Sequence, residues 1–246
     1  MRLELSVLSK PGGRKVNEDA CGVWSSQATG ACFCVVSDGA GGHGGGDIAS
    51  KLVVARVLEW FQQRPEVSGD AIEAALAAAN RAVIDEQKQD AQRGDMRATV
   101  VALALDAQAR LAYWGHLGDS RLYCFRGGHV LLQTRDHSVV QSMVDAGYLG
   151  PTELRRSARR SALLAALGQQ EGINPSIERK PFAIEPGDAF LLCTDGVWEC
   201  VSEAEMGRIL KEYALPEEWL RNLEGAVLAG AQAGHDNYSA VAIACG

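Results

Sequence analysis

Residues 37–47 read SDGAGGHGGGD, with six glycines in eleven positions. Gly39 to Gly44 spell G-A-G-G-H-G, a literal match to the G-x-G-x-x-G fingerprint of dinucleotide-binding loops. The flanks also match. The apolar run ACFCVV precedes the loop, and DIASKLVVARVLEWF follows with the periodicity of an amphipathic helix. An aspartate, Asp38, stands directly before the first glycine. The loop therefore has two readings, as a phosphate cradle or as part of a metal site.

The rest of the chain separates them. A dinucleotide fold needs a second parallel strand after the first helix, ending in an acidic residue about 20 positions on. Here Glu59 falls near that distance but inside the helical pattern, and a second helical pattern, opened by Asp70 and running to about Gln92, comes next. Asp47 is the expected N-cap of the first helix, which runs to about Gln63. Strand patterns cover Leu3–Ser9, Ala20–Trp24, Ala31–Ser37, Thr99–Leu105, Leu111–Leu117, Arg121–Arg126, Val130–Gln133, Ile177–Phe182, Ala189–Cys193 and Ser239–Ala244. Gly127-Gly128 suits a two-residue hairpin turn. Ser138–Ala166 reads as mostly helical, and Ser202–Tyr213 and Pro216–Ala233 as two further helices. Consecutive strands joined by tight turns are antiparallel neighbours. The order predicts an α+β fold in four layers, α-β-β-α, with two stacked, mainly antiparallel sheets flanked by helix pairs. No low-complexity linker or internal repeat divides it, so residues 1–246 are expected to form one domain.

Composition narrows the function classes. The chain is 47% hydrophobic and 22% charged, an ordinary globular balance. The net charge of −7 argues against nucleic acid as a partner. No apolar run approaches the ~20 residues of a membrane span, and the start, MRLELSVLSKPGGRK, has no signal-peptide core. The seven cysteines include no C-x-x-C pair, and most lie in apolar runs. Buried free thiols and a cytoplasmic location are the expectation.

Five acidic motifs place an Asp beside glycine or another small or polar residue, next to an apolar strand. They are NEDA (Glu18, Asp19), VVSDGAGG (Asp38), HLGDSR (Asp119), LLCTDGVW (Asp195) and GHDNYS (Asp236). One such Asp is a turn former or a cap. Five together, without clustered Cys or paired His, suit hard divalent ions such as Mg²⁺ or Mn²⁺ rather than zinc. Carboxylates gathered without a cation repel and raise one another's pKa. Two ions sharing one carboxylate remove that repulsion, and a glycine beside the shared Asp lets its carbonyl approach an ion.

The set GGRKVNED, VVSDGAGGHGGG, ATVVAL, YWGHLGDSRLY, TRDHSVVQSMVDAG, LLCTDGVWECVS and GHDNYSAVAI resembles, in order, the bacterial branch of the PP2C-type (PPM) metal-dependent protein serine/threonine phosphatases. The likeness extends from about residue 12 to residue 244. It implies that Asp38 bridges two metals and that Gly39 offers its carbonyl. Asp195 and Asp236 would join the second metal, and Asp119, shared with Asp195, a third. Glu18 and Asp19 would hold metal-bound waters, and Arg14, three residues before N-E-D's first letter, would clamp phosphate. The implied chemistry is direct attack of a metal-bridging hydroxide on phosphoserine or phosphothreonine, with Mn²⁺ or Mg²⁺ as cofactor and no phosphoenzyme.

The resemblance also implies phosphorylated proteins as partners, a cognate Ser/Thr kinase to oppose, and a monomer. Alternatives are a non-catalytic phosphoprotein-binding module of the same fold, or a phosphatase of small phosphate esters. The chain departs from the family at two places, Ala40 and the flap. Ala40 stands where the eukaryotic branch has His and many bacterial members have Met. His43 and Asn237 are the candidate accessory residues, whereas His116 and His235, which flank acidic motifs, are expected to support the site or the fold. The flap, at about 138–168, carries RRSARRSALLAALG in place of an H-P-x-x-N-like stretch. Its Arg155, Arg156, Arg159 and Arg160 have i, i+4 spacing and are a candidate dock for acidic or multiply phosphorylated protein.

Overall fold

Strand residues 31–36 alternate between two apolar environments. In the computed structural model Phe33 and Val35 face one hydrophobic cluster, and Cys32, Cys34 and Val36 face another. Every one of these side chains is buried, so the strand has no polar face and must lie between two layers. The same alternation recurs on the other central strands. Val100, Ala102 and Ala104 oppose Val101, Leu103 and Leu105. Leu191 and Ala242 lie on the outer side of the other sheet, while Phe190, Leu192, Val241 and Ile243 point inward.

The structure describes residues 1–41, 45–157, 162–170 and 173–246. Among them the chain runs β1 (Leu3–Lys10), β2 (Asp19–Ser25), β3 (Ala31–Ala40), α1 (Gly46–Gln63), α2 (Gly69–Gln87), β4 (Arg97–Ala98), β5 (Val100–Asp106), β6 (Leu111–Leu117), β7 (Arg121–Arg126), β8 (His129–Gln133), α3 (Val139–Asp145), β9 (Ser176–Ile177), β10 (Phe182–Ala183), β11 (Ala189–Cys193), α4 (Asp195–Trp198), α5 (Glu203–Glu212), α6 (Pro216–Gly230) and β12 (Tyr238–Cys245). One sheet has the order β1-β12-β11-β7-β8. The other has β10-β6-β5-β3-β2, with β4 on the end of β3 and β9 on β6. All the pairings are antiparallel. Helices α1 and α2 cover the second sheet, and α5 and α6 cover the first. The four-layer α-β-β-α sandwich is therefore as the pattern of strands predicts.

Several local expectations are corrected. Asp47 is not the N-cap of α1. Gly45 holds that place with φ +115°, a left-handed conformation that favours glycine, and Asp47 pairs with Lys51 Nζ at 2.8 Å one turn on. Ser68 rather than Asp70 caps α2, its Oγ accepting from Ala71 N at 3.1 Å. That helix ends at Gln87, whose side chain donates to the carbonyls of Met96 and Gly168. Beyond it KQDAQ has no apolar face to bury.

The segment expected to be mostly helical after Ser138 holds only α3 and a 3-10 turn over Pro151–Arg156 among the described residues. Gly147, with φ +76°, and Pro151 divide it. Its ends are tied back by the bridges Ser138↔Leu163 and Ala98↔Leu167. The strand expected over Ile177–Phe182 is two short ones, because Pro181 lacks the N–H that a continuous ladder needs. Strand β3 extends past Ser37 to Ala40, so Asp38 and Gly39 are strand residues. The turn at Gly127-Gly128 forms as expected, both residues having positive φ.

Candidate active site

Both sheets send acids to one end of the sandwich. Asp19 opens β2 and stands in register with Asp38 on β3. Asp119 lies in the turn between β6 and β7, Asp195 follows β11, and Asp236 precedes β12. Thr99, between β4 and β5, stitches two of these places together. Its Oγ1 accepts from Asp38 N at 3.0 Å and lies 2.7 Å from Ser120 Oγ, beside Asp119. Thr194 joins two others, donating to Asp19 Oδ2 at 2.9 Å and accepting from Ser239 N at 3.0 Å.

Gly39 is required by close approach. A Cβ there would lie 1.9 Å from the carbonyl oxygen of Gly46 and 2.8 Å from that of Glu18. No side chain fits, which brings Glu18, Gly39 and the start of α1 into one tight junction.

Electrostatics follow from this crowding. Burial, then the charges of Asp195, Asp19, Asp119 and Asp236, hold the Asp38 carboxyl well above the usual carboxylate range. Asp195 is raised in the same direction by burial and then by Asp119, Glu199, Asp236 and Asp19. Burial pushes Asp119 to about 7, with Asp136 adding to the rise. Asp19 goes to about 6, mainly by burial, against the hydrogen bond from Thr194. Glu18 is raised by burial and by Asp47 and Asp236, while Arg14 opposes.

An all-oxygen donor set of mutually repelling carboxylates, with a glycine carbonyl at the junction, fits hard divalent cations. Among the described residues no group of three or more His, Cys, Asp or Glu side chains is arranged to hold a metal ion by itself. Such ions keep several waters, so a partial protein shell remains compatible with them.

Arg14, in the loop after β1, is half exposed, and its Nη2 donates to Asp236 Oδ2 at 3.0 Å. It lines a cleft of about 490 Å³ together with Arg155, Asp195, Glu199 and Asp236.

A profile of the family described as "Protein phosphatase 2C" matches residues 12–227. The chain belongs to the protein phosphatase 2C family. It is similar to the serine/threonine protein phosphatase PstP of Mycobacterium tuberculosis, at 32% identity over 231 residues, 93% of this chain and 42% of PstP. The chain thus spans about two fifths of the length of that relative. It is also similar to the serine/threonine phosphatase stp of Listeria monocytogenes, at 31% over 204 residues, covering 80% of this chain and 79% of stp. The crystal structure of the PstP catalytic domain in complex with two manganese ions superposes with a TM-score of 0.83 at 27% identity, covering 98% of this chain and 97% of that one.

Within this phosphatase-2C fold the carboxyls of Glu18, Asp19, Asp38, Asp119 and Asp195 are raised mainly by burial, and the charge of Asp236 adds to the rise at Glu18, Asp19, Asp38 and Asp195. Asn237 has a definite role in holding the fold. Its Nδ2 donates to the carbonyls of Pro11 and Val16, and its Oδ1 accepts from Glu18 N at 2.8 Å. It pins the loop that carries Arg14. His235 stacks on Tyr238, and His116 stacks on His137 with ring centroids 4.7 Å apart. His43, Arg159 and Arg160 lie outside the described residues, as does the side chain of Arg156.

Sequence reasoning passed over the supports. Besides Thr99 and Thr194 these are Trp198, whose Nε1 donates to the Asp119 carbonyl at 2.9 Å, and Arg121, which forks onto Asp136 with two bonds of 2.8 Å while lying 3.6 Å over the Trp198 ring. The available signal was adjacency. Each of Thr194, Trp198 and Arg121 is within three residues of a flagged Asp.

Proposed function

We propose that this chain is a metal-dependent phosphatase that removes phosphate from phosphoserine and phosphothreonine on proteins. The observation that carries the reading is the mutual electrostatic interaction of Asp38, Asp119, Asp195 and Asp236 at one end of the sandwich, where Asp195 and Asp236 line a cleft with Arg14, itself bonded to Asp236. Asp38 and the Gly39 carbonyl would hold one divalent cation, with Asp38, Asp195 and Asp236 holding a second. Asp119 and Asp195 would serve a third, weaker site, and Glu18 and Asp19 would orient waters. Bound Mn²⁺ or Mg²⁺ would supply an activated water near neutral pH and offset the charge of the phosphoryl group.

The protein's own part is positional. Thr99, Thr194 and Asn237 fix the strand ends, so the carboxylates need little rearrangement. The Arg14 guanidinium spends one N–H on Asp236 and retains others for phosphoryl oxygens. We further read residues 1–246 as one catalytic domain with a flap over about 138–168, acting as a monomer in the cytoplasm against a cognate Ser/Thr kinase. In keeping with this, no helix of the described residues is long and apolar enough to cross a membrane.

The test is hydrolysis of an aryl phosphate and of phosphoserine and phosphothreonine peptides by the purified chain. Turnover should require added Mn²⁺ or Mg²⁺ and stop on chelation. Metal-independent turnover would overturn the mechanism, and hydrolysis of small esters without phosphopeptides would move the reading to a small-ester phosphatase.

A further inference from the structure

Arg155 sits at a junction that the family reading does not use. The residue lines the cleft shared with Arg14, Asp195 and Asp236. It also lines a second, adjoining groove of about 520 Å³ with Arg121, Gln133, Arg135, Gln141 and Glu203. Among the described residues it is the one common to both linings. A peptide chain entering the first cleft and continuing into the second would pass this side chain.

The position is built rather than incidental. Leu154, the preceding residue, is 7% exposed and packs in the cluster of Tyr123, Trp198 and Val201. That contact anchors the 3-10 turn over Pro151–Arg156, whose start is fixed by Gly150 N donating to Glu153 Oε2 at 2.7 Å. The guanidinium is aimed by Glu203, with Arg155 Nη2 to Glu203 Oε1 at 2.7 Å. Glu203 is itself fixed, accepting from Tyr123 OH at 3.3 Å and lying 3.6 Å from Arg121 Nη1. An arginine has five N–H donors in a planar fork. Among the described residues the bond to Glu203 is the one hydrogen bond this guanidinium makes; it orients the plane and leaves the other donors for a second anion. In a chain of net charge −7, Arg14 and Arg155 are the two cationic side chains lining the cleft among the described residues.

We propose that Arg155 is a specificity-determining residue: it receives a second negative group, carboxylate or phosphoryl, carried by the substrate chain beside the phosphorylated residue. The proposal rests on the phosphatase reading above. Glu203 acts through Arg155 as a positioning residue.

The experiment compares a phosphoserine peptide with uncharged flanks against the same peptide carrying Asp, or a second phosphoserine, walked along the flanking positions. For the wild-type protein with Mn²⁺, kcat/KM should rise roughly ten-fold at the favoured position, the size of one charge-assisted hydrogen bond, and mainly through KM. Asp and phosphoserine arms separate a carboxylate reader from a phosphoryl reader. Arg155→Ala should bring the acidic-to-neutral ratio close to one. Arg155→Lys should retain part of it, since the charge stays and the fork is lost. Glu203→Gln should keep or increase it, because the competing anion is gone.

Melting temperatures of all three variants control for the fold. An unchanged ratio in Arg155→Ala overturns the proposal. So does an equal loss on both peptides and on aryl phosphate, which would place Arg155 on the reacting phosphate or in the support of the flap. If the wild-type protein hydrolyses no ester, the phosphatase reading has failed on its own. Calorimetric Kd values for the same peptides then decide, with loss of an acidic preference in Arg155→Ala supporting the proposal and equal Kd values overturning it.

Discussion

Asp38 shares its surroundings with Asp19, Asp119, Asp195 and Asp236, and all four raise its pKa. Two consequences of opposite sign follow for Asp38→Asn. Turnover of aryl phosphate should fall by at least about a thousand-fold, as for loss of a group that acts in the transition state. The chelated protein should become more stable, because one of the mutually repelling carboxylates is gone, with a melting temperature up by about 2–4 °C per kcal/mol. Calorimetry in chelator checks this, and a lowered melting temperature would contradict the repulsion argument. Gly39→Ala belongs to the same scale. Its Cβ would meet the Gly46 carbonyl, so backbone must move, and both metal-dependent activity and stability should fall together by enzyme assay and thermal melt. Asp38 was legible in the sequence because its motif is local. The need for glycine at 39 was legible only in outline, since the Gly46 carbonyl is seven residues away and is brought close by the turn into α1.

At the scale of elements, the loop between β1 and β2 is held by one side chain from the far end of the chain. Asn237 is buried and makes three hydrogen bonds to backbone of that loop. Asn237→Ala should cost ~3 kcal/mol in a denaturant titration, at about 1 kcal/mol per bond. It should also raise KM, as Arg14→Ala should, because it frees the loop that carries Arg14. An unchanged KM would separate the loop from substrate binding. The helices teach a related lesson. The caps expected at Asp47 and Asp70 shifted to Gly45 and Ser68, because several residues within one turn had acceptable cap chemistry and tertiary contacts selected among them. The flap diverged further from expectation. Its arginines and small residues read as helical, but Gly147 and Pro151 and the two backbone bridges at its exit decide its course.

For the whole molecule, the raised carboxyls make stability depend on pH in a definite direction. In the folded protein Asp19 and Asp119 keep their protons up to about 6 and about 7, whereas an unfolded aspartate releases its proton near 3.8. The folded state therefore binds more protons over this window, and stability falls as pH rises from about 4 through 7. For Asp19 the effect is on the order of 3 kcal/mol at ~1.4 kcal/mol per pKa unit. Melts in chelator at pH 5 and pH 8 should show the loss, and Mn²⁺ should reverse it at the higher pH. Metal binding should also release protons, seen as different calorimetric enthalpies in buffers of different ionisation enthalpy. Equal stability at both pH values would contradict the assignment.

By itself the amino-acid sequence determined the layer order and the acids. Strand periodicity and tight turns are local properties, and an Asp beside glycine at a strand end is visible without knowing its neighbours. Register, the shared surroundings and the supports were decided by tertiary structure. Asp19 meets Asp38 through β2–β3 pairing, Thr194 reaches Asp19 across 175 positions, and Asn237 reaches Pro11 across 226. The first and last of these contacts come from strand pairing within a sheet and the second from the stacking of the two sheets, and no pattern within a window of the chain encodes which residue will lie there.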